Sequence, residues 1–299
     1  MKLEGLFTAV ATPFLPSGDL DQEGLRANLR FQMHHEVNGI VVLGSTGEDP
    51  TLTSQEREKI VAIALEEVKN KALLFVGTGS YSTKEAIART DKAKEMGADG
   101  ALIVTPYYNK PTQEGLYLHY AAIASAVDLP ICIYNIQGRT GQNLQTATLE
   151  RLFSFPNIIG VKEGSCNLFQ IIEVIAAAKK WRPDFKIMSS DDALTLPLMG
   201  CGGHGIISVV SNVFPGYLKN MVDAALQGDF KTAQDWHYQL LPFFNACFIE
   251  TNPIPIKAAM NHLGMPAGPC RLPLCDLSES NLLKLHTVLE LYASQPSFS

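Results

Sequence analysis

The chain has 299 residues, of which 46% are hydrophobic and 18% are charged, a balance typical of a folded globular protein. Its formal net charge is −6, with lysine and arginine scattered along the chain, which argues against nucleic acid or an anionic membrane as a main partner. No apolar run approaches the roughly 20 residues that cross a bilayer. Glu4 and Pro13 interrupt the apolar N-terminus, so we expect no signal peptide and a cytoplasmic protein.

Eight short apolar runs recur at regular intervals along the chain. Each run is continuously apolar rather than alternating, which is typical of parallel strands buried on both faces. The runs cover residues 5–14, 39–46, 73–79, 100–108, 130–135, 158–163, 185–192 and 205–212. Helical patterns lie between most of them, and Thr53 with Glu56, and Ser82 with Glu85, stand at capping-box spacing. The seventh interval is a weaker helix pattern because Pro197 interrupts it.

Eight strand–helix units in succession predict an α/β fold, a (β/α)8 TIM barrel, in preference to an open doubly wound sheet. After residue 212 the strand patterns stop and helical patterns follow, for example at 232–248 and 278–292. We therefore predict a barrel with the active site over residues 1–212. We predict a C-terminal helical extension, packed on the barrel, over residues 213–299.

The chemistry of such barrels lies at the carboxyl ends of the strands. The predicted ends carry mainly hydroxyl and phenol side chains, with one lysine among them. The residues are Thr12, Ser45, Thr46, Glu48, Thr78, Thr105, Tyr107, Tyr108, Tyr134, Asn135, Lys162, Glu163, Asp191, Asp192, Ser211 and Asn212. They do not form the histidine and carboxylate cluster of a metal site, and the six cysteines show no zinc spacing, so we predict no metal.

The stretch NIIGVKEGS ends a buried strand pattern on Lys162. Burial makes an amine easier to deprotonate, and a free amine can attack a carbonyl to form a Schiff base that withdraws electrons from the neighbouring carbon. Tyr134, one strand away, is suited to relay the protons. The alternative is a structural ion pair with Glu163 or with an aspartate of the next strand. Adjacent strand residues point to opposite faces, so Glu163 is a poor partner and catalysis is favoured.

The motifs together resemble the dihydrodipicolinate synthase family of pyruvate-dependent lyases and aldolases. TPF, GSTGE, TPYYN, YN…GRTG, GVKE, SDDA, GGHGIISV and NPIPIK occur in that order, and the resemblance runs from about residue 3 to about residue 274. It implies condensation of pyruvate with L-aspartate 4-semialdehyde to 4-hydroxy-tetrahydrodipicolinate, in lysine and diaminopimelate biosynthesis. It implies no metal and no organic cofactor, because the pyruvate Schiff base on Lys162 is itself the electron sink.

The resemblance also implies roles for the catalytic residues. Lys162 would form the Schiff base, and Tyr134, Ser45 and Tyr108 would make up a proton relay. Tyr108 would come from a neighbouring subunit, because members of the family form homotetramers built as dimers of dimers. We expect the same assembly here.

Four further residues would contact the substrates if the resemblance holds. Thr46 would hold the pyruvate carboxylate through its hydroxyl and backbone. Arg139 would bind the carboxylate of the semialdehyde, for which its planar fork is suited. We also assign Ile207 and Gly164 to the substrate site.

Several positions depart from the family pattern. Ser45 stands where a threonine is usual, Gln137 replaces the usual proline before Arg139, and Ser190 replaces a common glycine and would narrow the pocket. A second set of departures lies at positions that match the lysine effector site of inhibited members. They are Asp49, Pro50, Ser54, Arg57 and Tyr81, whereas Glu85 and Tyr107 match. We therefore predict that L-lysine inhibits this protein weakly or not at all.

Two other functions are compatible with parts of the sequence. An aldolase for N-acetylneuraminate or a 2-keto-3-deoxy sugar acid would share Lys162, Tyr134 and the GSTGE turn. Arg139 and the segments TPYYNKPTQEGLY and NPIPIKAAM favour the synthase instead. A barrel that only binds ligands or serves as a scaffold would be expected to lose its nucleophile, and Lys162 is present.

Overall fold

The computed structural model describes residues 2–293, which form a closed barrel of eight parallel strands. The strands pair in chain order, and β8 closes the barrel against β1. Their bounds are β1 (Gly5–Ala9), β2 (Gly39–Val42), β3 (Leu73–Gly77), β4 (Gly100–Val104), β5 (Ile131–Asn135), β6 (Ile158–Glu163), β7 (Lys186–Ser189) and β8 (Gly205–Ser208). Each strand lies inside one of the predicted apolar runs, so the predicted TIM barrel is confirmed.

Helices connect the strands and continue beyond the last one. Their bounds are α1 (Gln22–His34), α2 (Ser54–Val68), α3 (Thr83–Met96), α4 (Gln113–Ala126), α5 (Gln137–Thr140), α6 (Thr146–Leu152), α7 (Leu168–Trp181), α8 (Thr195–Gly200), α9 (Pro215–Leu226), α10 (Phe230–Ala246), α11 (Ile254–His262) and α12 (Glu279–Ala293). The capping box predicted for α2 is present: Glu56 N donates to Thr53 Oγ1 at 3.2 Å, and Thr53 N donates to the Glu56 carboxylate at 2.9 Å. The helix that contains Pro197 is short, with six residues.

The strand side chains form two apolar layers because successive residues of a strand point to opposite faces. One layer lies between the barrel and its helices. The other fills the barrel interior and includes Phe7, Phe75 and Met188, with Phe7 and Phe75 packed edge to face at 5.8 Å. A Cβ on Gly39 would lie 2.0 Å from the Phe7 ring, so glycine is needed there for the ring to fit. The polar residues are left at the carboxyl ends of the strands.

The C-terminal helices pack on the barrel and on each other. Helix α9 contacts β1 and β8, α10 packs against α9, and α12 packs against α10 and α11. The helices predicted at 232–248 and 278–292 correspond to α10 and α12. The division of the chain at residue 212 stays a prediction, since α9 contacts the strands directly. No helix within residues 2–293 has both the length and the hydrophobicity needed to cross a membrane.

Candidate active site

A cavity of ≈ 590 Å³ lies where the carboxyl ends of the strands meet. Six of the eight predicted site residues line it: Ser45, Thr46, Tyr134, Arg139, Lys162 and Gly164. Tyr108 and Ile207 do not line it. Ile207 is fully buried in the apolar layer of the barrel interior, so its contact with substrate stays a prediction. Tyr108 is 91% exposed on the outer surface of this single chain.

Lys162 lies near the end of β6 and is directly paired with Tyr134 of β5 in the register of the sheet. This register places Lys162 Nζ 4.3 Å from the centroid of the Tyr134 ring. The lysine is only 5% exposed, and none of the carboxylates in residues 2–293 forms an ion pair with it. A buried ammonium without a carboxylate is costly, so this lysine requires an explanation other than a structural ion pair.

Glu163 points away from Lys162, as the alternation of strand side chains predicts. Its carboxylate accepts from the backbone N–H of Ser165 at 2.7 Å and from the Asn135 amide at 3.2 Å. Burial raises the pKa of Glu163, and these hydrogen bonds oppose the rise. The glutamate therefore anchors the loop after β6 and leaves the lysine unpaired.

The two aspartates after β7 are also engaged elsewhere. Asp191 caps the following turn by accepting from Ala193 N at 2.9 Å. Asp192 is fully buried and accepts from Ser208 Oγ at 2.5 Å and from Val209 N at 3.3 Å. Burial raises the pKa of Asp192 to about 7. Neither aspartate lies within the 4.0 Å of an ion pair with Lys162 among the described residues, so the alternative of an ion pair with a next-strand aspartate is wrong.

The Tyr134 phenol has an unpredicted hydrogen-bond partner. Ser190 Oγ donates to Tyr134 OH at 3.1 Å, and both residues line the cavity. The Ser45 hydroxyl lines the same cavity but forms no hydrogen bond within the part of the chain that the structure describes. Sequence reasoning identified Ser190 as a departure from the family pattern, but expected it only to narrow the pocket.

Asn252 is a further site residue that sequence reasoning missed. Its side-chain amide donates to Thr46 Oγ1 at 3.0 Å, and its backbone carbonyl oxygen accepts from Arg139 Nη2 at 2.8 Å. It therefore links the two predicted carboxylate-binding residues across the cavity that it lines. The only signal in the sequence was its place at the start of NPIPIK.

A second cavity, of ≈ 310 Å³, adjoins the first. Ser45, Tyr134, Arg139 and Asn252 line both cavities, and Tyr107 lines the second one. The neighbouring Tyr108 has a φ of 69°, in the left-handed region that a bulky residue rarely adopts. Tyr108 is thus a strained and exposed tyrosine that lines neither cavity of its own chain, and its role in the relay stays a prediction.

Buried charged side chains hold the GSTGE turn that carries Ser45 and Thr46. Glu48 accepts from Lys257 Nζ at 2.8 Å and from Arg271 N at 2.8 Å. Lys257 also donates to the carbonyl oxygens of Thr12 and Pro269, at 3.1 and 2.7 Å. The turn is therefore held by a saturated network, consistent with a need to position its hydroxyls.

Fold and cavity define the class of the protein: a TIM-barrel enzyme with a buried, unpaired lysine at the carboxyl end of its sixth strand. No cluster of three histidine, cysteine or acidic side chains suited to a metal ion occurs in residues 2–293. The sequence profile of the dihydrodipicolinate synthetase family matches residues 2–292, and the chain belongs to that family. The predicted family and enzymatic class are thereby confirmed.

Individual relatives cover nearly the whole chain. The 4-hydroxy-tetrahydrodipicolinate synthase of Protochlamydia amoebophila is 59% identical over 97% of this chain and 96% of its own length. The crystal structure of dihydrodipicolinate synthase from Thermotoga maritima is 42% identical, with a TM-score of 0.95 over 97% of this chain and 98% of that one. A dihydrodipicolinate synthase variant described as monomeric is 42% identical, with a TM-score of 0.94 over 96% of each chain. These relatives are synthases, which favours the synthase over the sugar-acid aldolase.

Proposed function

We propose that this protein condenses pyruvate with L-aspartate 4-semialdehyde through a Schiff base on Lys162, giving 4-hydroxy-tetrahydrodipicolinate and water. The observation that carries the proposal is the lysine itself, which is buried, free of any carboxylate partner in the described chain, and next to a phenol in a cavity. Because the amine supplies the electron sink, the reaction needs neither metal nor organic cofactor. We further propose a cytoplasmic location.

The reaction proceeds through a carbinolamine, an imine and an enamine. The Lys162 amine adds to the carbonyl carbon of pyruvate, and the resulting carbinolamine loses water to give the protonated imine. The methyl carbon then loses a proton, and the enamine attacks the aldehyde carbon of the semialdehyde. The amino group of the semialdehyde attacks the imine carbon, which closes the ring and releases the lysine. Tyr134, with Ser45 and Tyr108, carries the protons for these steps.

The residues around the lysine suit two substrates that each carry one carboxylate. Thr46 offers a hydroxyl and a backbone N–H to the carboxylate of pyruvate, and Asn252 fixes its hydroxyl at 3.0 Å. Arg139 uses one guanidinium nitrogen on the Asn252 carbonyl, which leaves other donors for the carboxylate of the semialdehyde. Gly164 lines the cavity, and a Cβ there would lie 2.8 Å from the Asn135 carbonyl oxygen, so a larger residue would shift the wall of the site.

The test of this function is a coupled assay of pyruvate and semialdehyde consumption with dihydrodipicolinate reductase. We expect turnover in the wild type and a loss of more than about a thousandfold in Lys162→Ala. Lys186→Ala is the matched control, because Lys186 lies on the adjacent strand at the opposite end and pairs with Glu4 at 3.0 Å. Full activity in Lys162→Ala, or no turnover by folded wild-type protein, would contradict the proposal.

We also propose that the working form is a homotetramer built as a dimer of dimers. Two separate exposed apolar faces support two kinds of contact between copies. One contains Tyr81 and Tyr108, and the other lies on α7 and contains Phe169, which is 82% exposed, with Ile172 and Trp181. The Tyr108 face is the one through which a second copy would complete the proton relay.

Mixing inactive variants tests whether Tyr108 acts across that contact. In a mixture of Lys162→Ala and Tyr108→Ala chains, half of the dimers are mixed, and one of their two sites has both residues. We expect activity to return to about a quarter of the wild-type value after the mixture is dissociated and reassembled. Tyr108→Ala mixed with wild-type chains is the control for subunit exchange. Absence of recovery in exchanged tetramers would show that Tyr108 does not act in trans.

A further inference from the structure

Ser190 is the residue of the cavity whose position calls for a chemical explanation. It follows β7, is 9% exposed, and its hydroxyl is the single hydrogen-bond partner of the Tyr134 phenol in residues 2–293. Its backbone N–H donates to the carbonyl oxygen of Glu163 at 3.0 Å, which ties it to the end of the lysine strand. A Cβ on Gly164 would approach the Ser190 side chain at 3.0 Å, so the glycine leaves room for the serine.

The adjacent serine shows what a purely structural role looks like. Ser189 Oγ donates to the Asp191 carbonyl oxygen at 2.8 Å and accepts from Asp191 N at 3.2 Å, which closes a local turn. Ser190 forms no such side-chain bond to the backbone of the described chain. Its hydroxyl instead crosses from β7 to the phenol of β5, inside the cavity that holds Lys162.

The direction of this bond determines what it does to Tyr134. A phenol has one proton and two acceptor lone pairs. Because Ser190 donates, the proton of Tyr134 is not used in the bond and stays available to a group in the cavity. When the phenol gives that proton away, its oxygen becomes a stronger acceptor and the bond from Ser190 shortens and strengthens. The contact thus stabilises the proton-transfer step more than the resting state.

We propose that Ser190 is a positioning residue for proton transfer by Tyr134, an inference that rests on the proposed function of Lys162 and Tyr134. In the loss of water from the carbinolamine, the C–O bond breaks and the Tyr134 proton leaves with the hydroxyl group as water. The imine forms on Lys162, and Ser190 holds the phenolate by donating to it. The phenolate then recovers a proton from the methyl carbon as the enamine forms.

A double-mutant cycle on Ser190→Ala and Tyr134→Phe tests the inference. The readouts are kcat, KM for pyruvate, and the rate at which borohydride traps pyruvate on Lys162, measured by intact mass. We expect Ser190→Ala to lower kcat and the trapping rate about fivefold, because the hydrogen bond to the phenolate is stronger than the bond to the neutral phenol. KM for pyruvate should stay within about twofold of the wild-type value, because the serine acts on a transition state.

In the Tyr134→Phe background, Ser190→Ala should change the trapping rate by less than about twofold, because the group it acts on is gone. Ser80→Ala is the control: Ser80 is also buried, accepts only from Ser82 N at 3.2 Å, and does not line either active-site cavity. An unchanged kcat in Ser190→Ala, or a fivefold loss that persists without the Tyr134 hydroxyl, would overturn the inference. Retained activity in Lys162→Ala would instead overturn the proposed function, so the two failures are distinguishable.

Discussion

Two buried lysines of this barrel have opposite surroundings. Lys257 is 1% exposed and has three partners, the Glu48 carboxylate and the carbonyl oxygens of Thr12 and Pro269. Lys162 is 5% exposed, forms no ion pair within residues 2–293, and contacts the Tyr134 ring in the wall of the cavity. Burial alone therefore does not separate a structural lysine from a reactive one. The distinction lies in whether the ammonium protons have acceptors.

The same comparison explains why the two residues serve one site. Lys257 and Glu48 hold the turn that positions Ser45 and Thr46 in the cavity, so their ion pair supports the geometry of the site. Burial lowers the pKa of Lys257, and the Glu48 carboxylate opposes the decrease. Lys162 has no such carboxylate, which leaves its amine accessible to a carbonyl group in the cavity.

The largest expected difference between the two lysines is in how much the loss of each charge lowers the free energy of unfolding. Lys257→Met leaves Glu48 buried without its cation, and we expect a loss of about 3–5 kcal/mol in the free energy of unfolding. Lys162→Met removes a buried charge that has no ion-pair partner in the described chain, so we expect a free energy of unfolding within about 1 kcal/mol of the wild type. Urea unfolding monitored by circular dichroism measures both. Equal destabilisation by the two substitutions would break the comparison.

Asp192 extends the comparison to a buried carboxylate near Lys162. Burial raises its pKa to about 7, well above the value of an unfolded aspartate. The folded state therefore holds this proton where the unfolded state has lost it, so the contribution of Asp192 to stability falls as pH rises from about 4 through 7. An asparagine side chain does not ionise, so the stability of Asp192→Asn should lack this pH dependence.

The melting temperature of Asp192→Asn, relative to the wild type, should accordingly rise between pH 5 and pH 8, by a few degrees. Asp184→Asn is the control, because Asp184 is an exposed carboxylate whose pKa is lowered by its hydrogen bond from Arg182. A constant difference in melting temperature over this range would show that Asp192 is ionised throughout.

The smallest expected effect concerns the ion pairs around Asp49, where we expect no response of the activity to L-lysine. Asp49 accepts from Arg57 at 3.1 Å, and Arg89 lies 3.7 Å from the same oxygen while it also pairs with Glu85 at 2.8 Å. The family resemblance places Asp49, Arg57 and Glu85 at the lysine effector site of inhibited members, and here these three side chains, together with Arg89, form a network of ion pairs. We therefore expect no saturable loss of activity when L-lysine is titrated into the assay. A steep, saturable decrease at modest lysine concentration would refute this prediction.

Local patterns made the fold predictable from the sequence. The continuous apolar runs gave all eight strands, and the Thr53–Glu56 box placed the start of α2, because both signals are contained in a few neighbouring residues. Lys162, Tyr134, Ser45 and Thr46 were all placed at strand ends by the sequence, and in the structure they line one cavity. Barrel topology alone requires this, since parallel strands present all their carboxyl ends on one side.

Contacts between distant segments were not predictable in the same way. The Ser190–Tyr134 bond depends on the position of the loop after β7 relative to β5, and the Lys257–Glu48 pair joins residues that are 209 positions apart. Asn252 reaches Thr46 across a separation of 206 positions. No periodicity or spacing in the sequence encodes such pairs. Tyr108 is exposed in the single chain, and its contact with the active site of a second copy stays a proposal.

The most direct test of the central claim is to identify the atom that binds pyruvate. The protein is incubated with pyruvate, reduced with borohydride, digested and analysed by mass spectrometry, with Lys162→Ala and unreduced protein as controls. We predict a single lysine adduct, on the peptide that contains Lys162 and on no peptide that contains Lys257. An adduct on another residue, or no adduct on folded protein that turns over, would contradict the account.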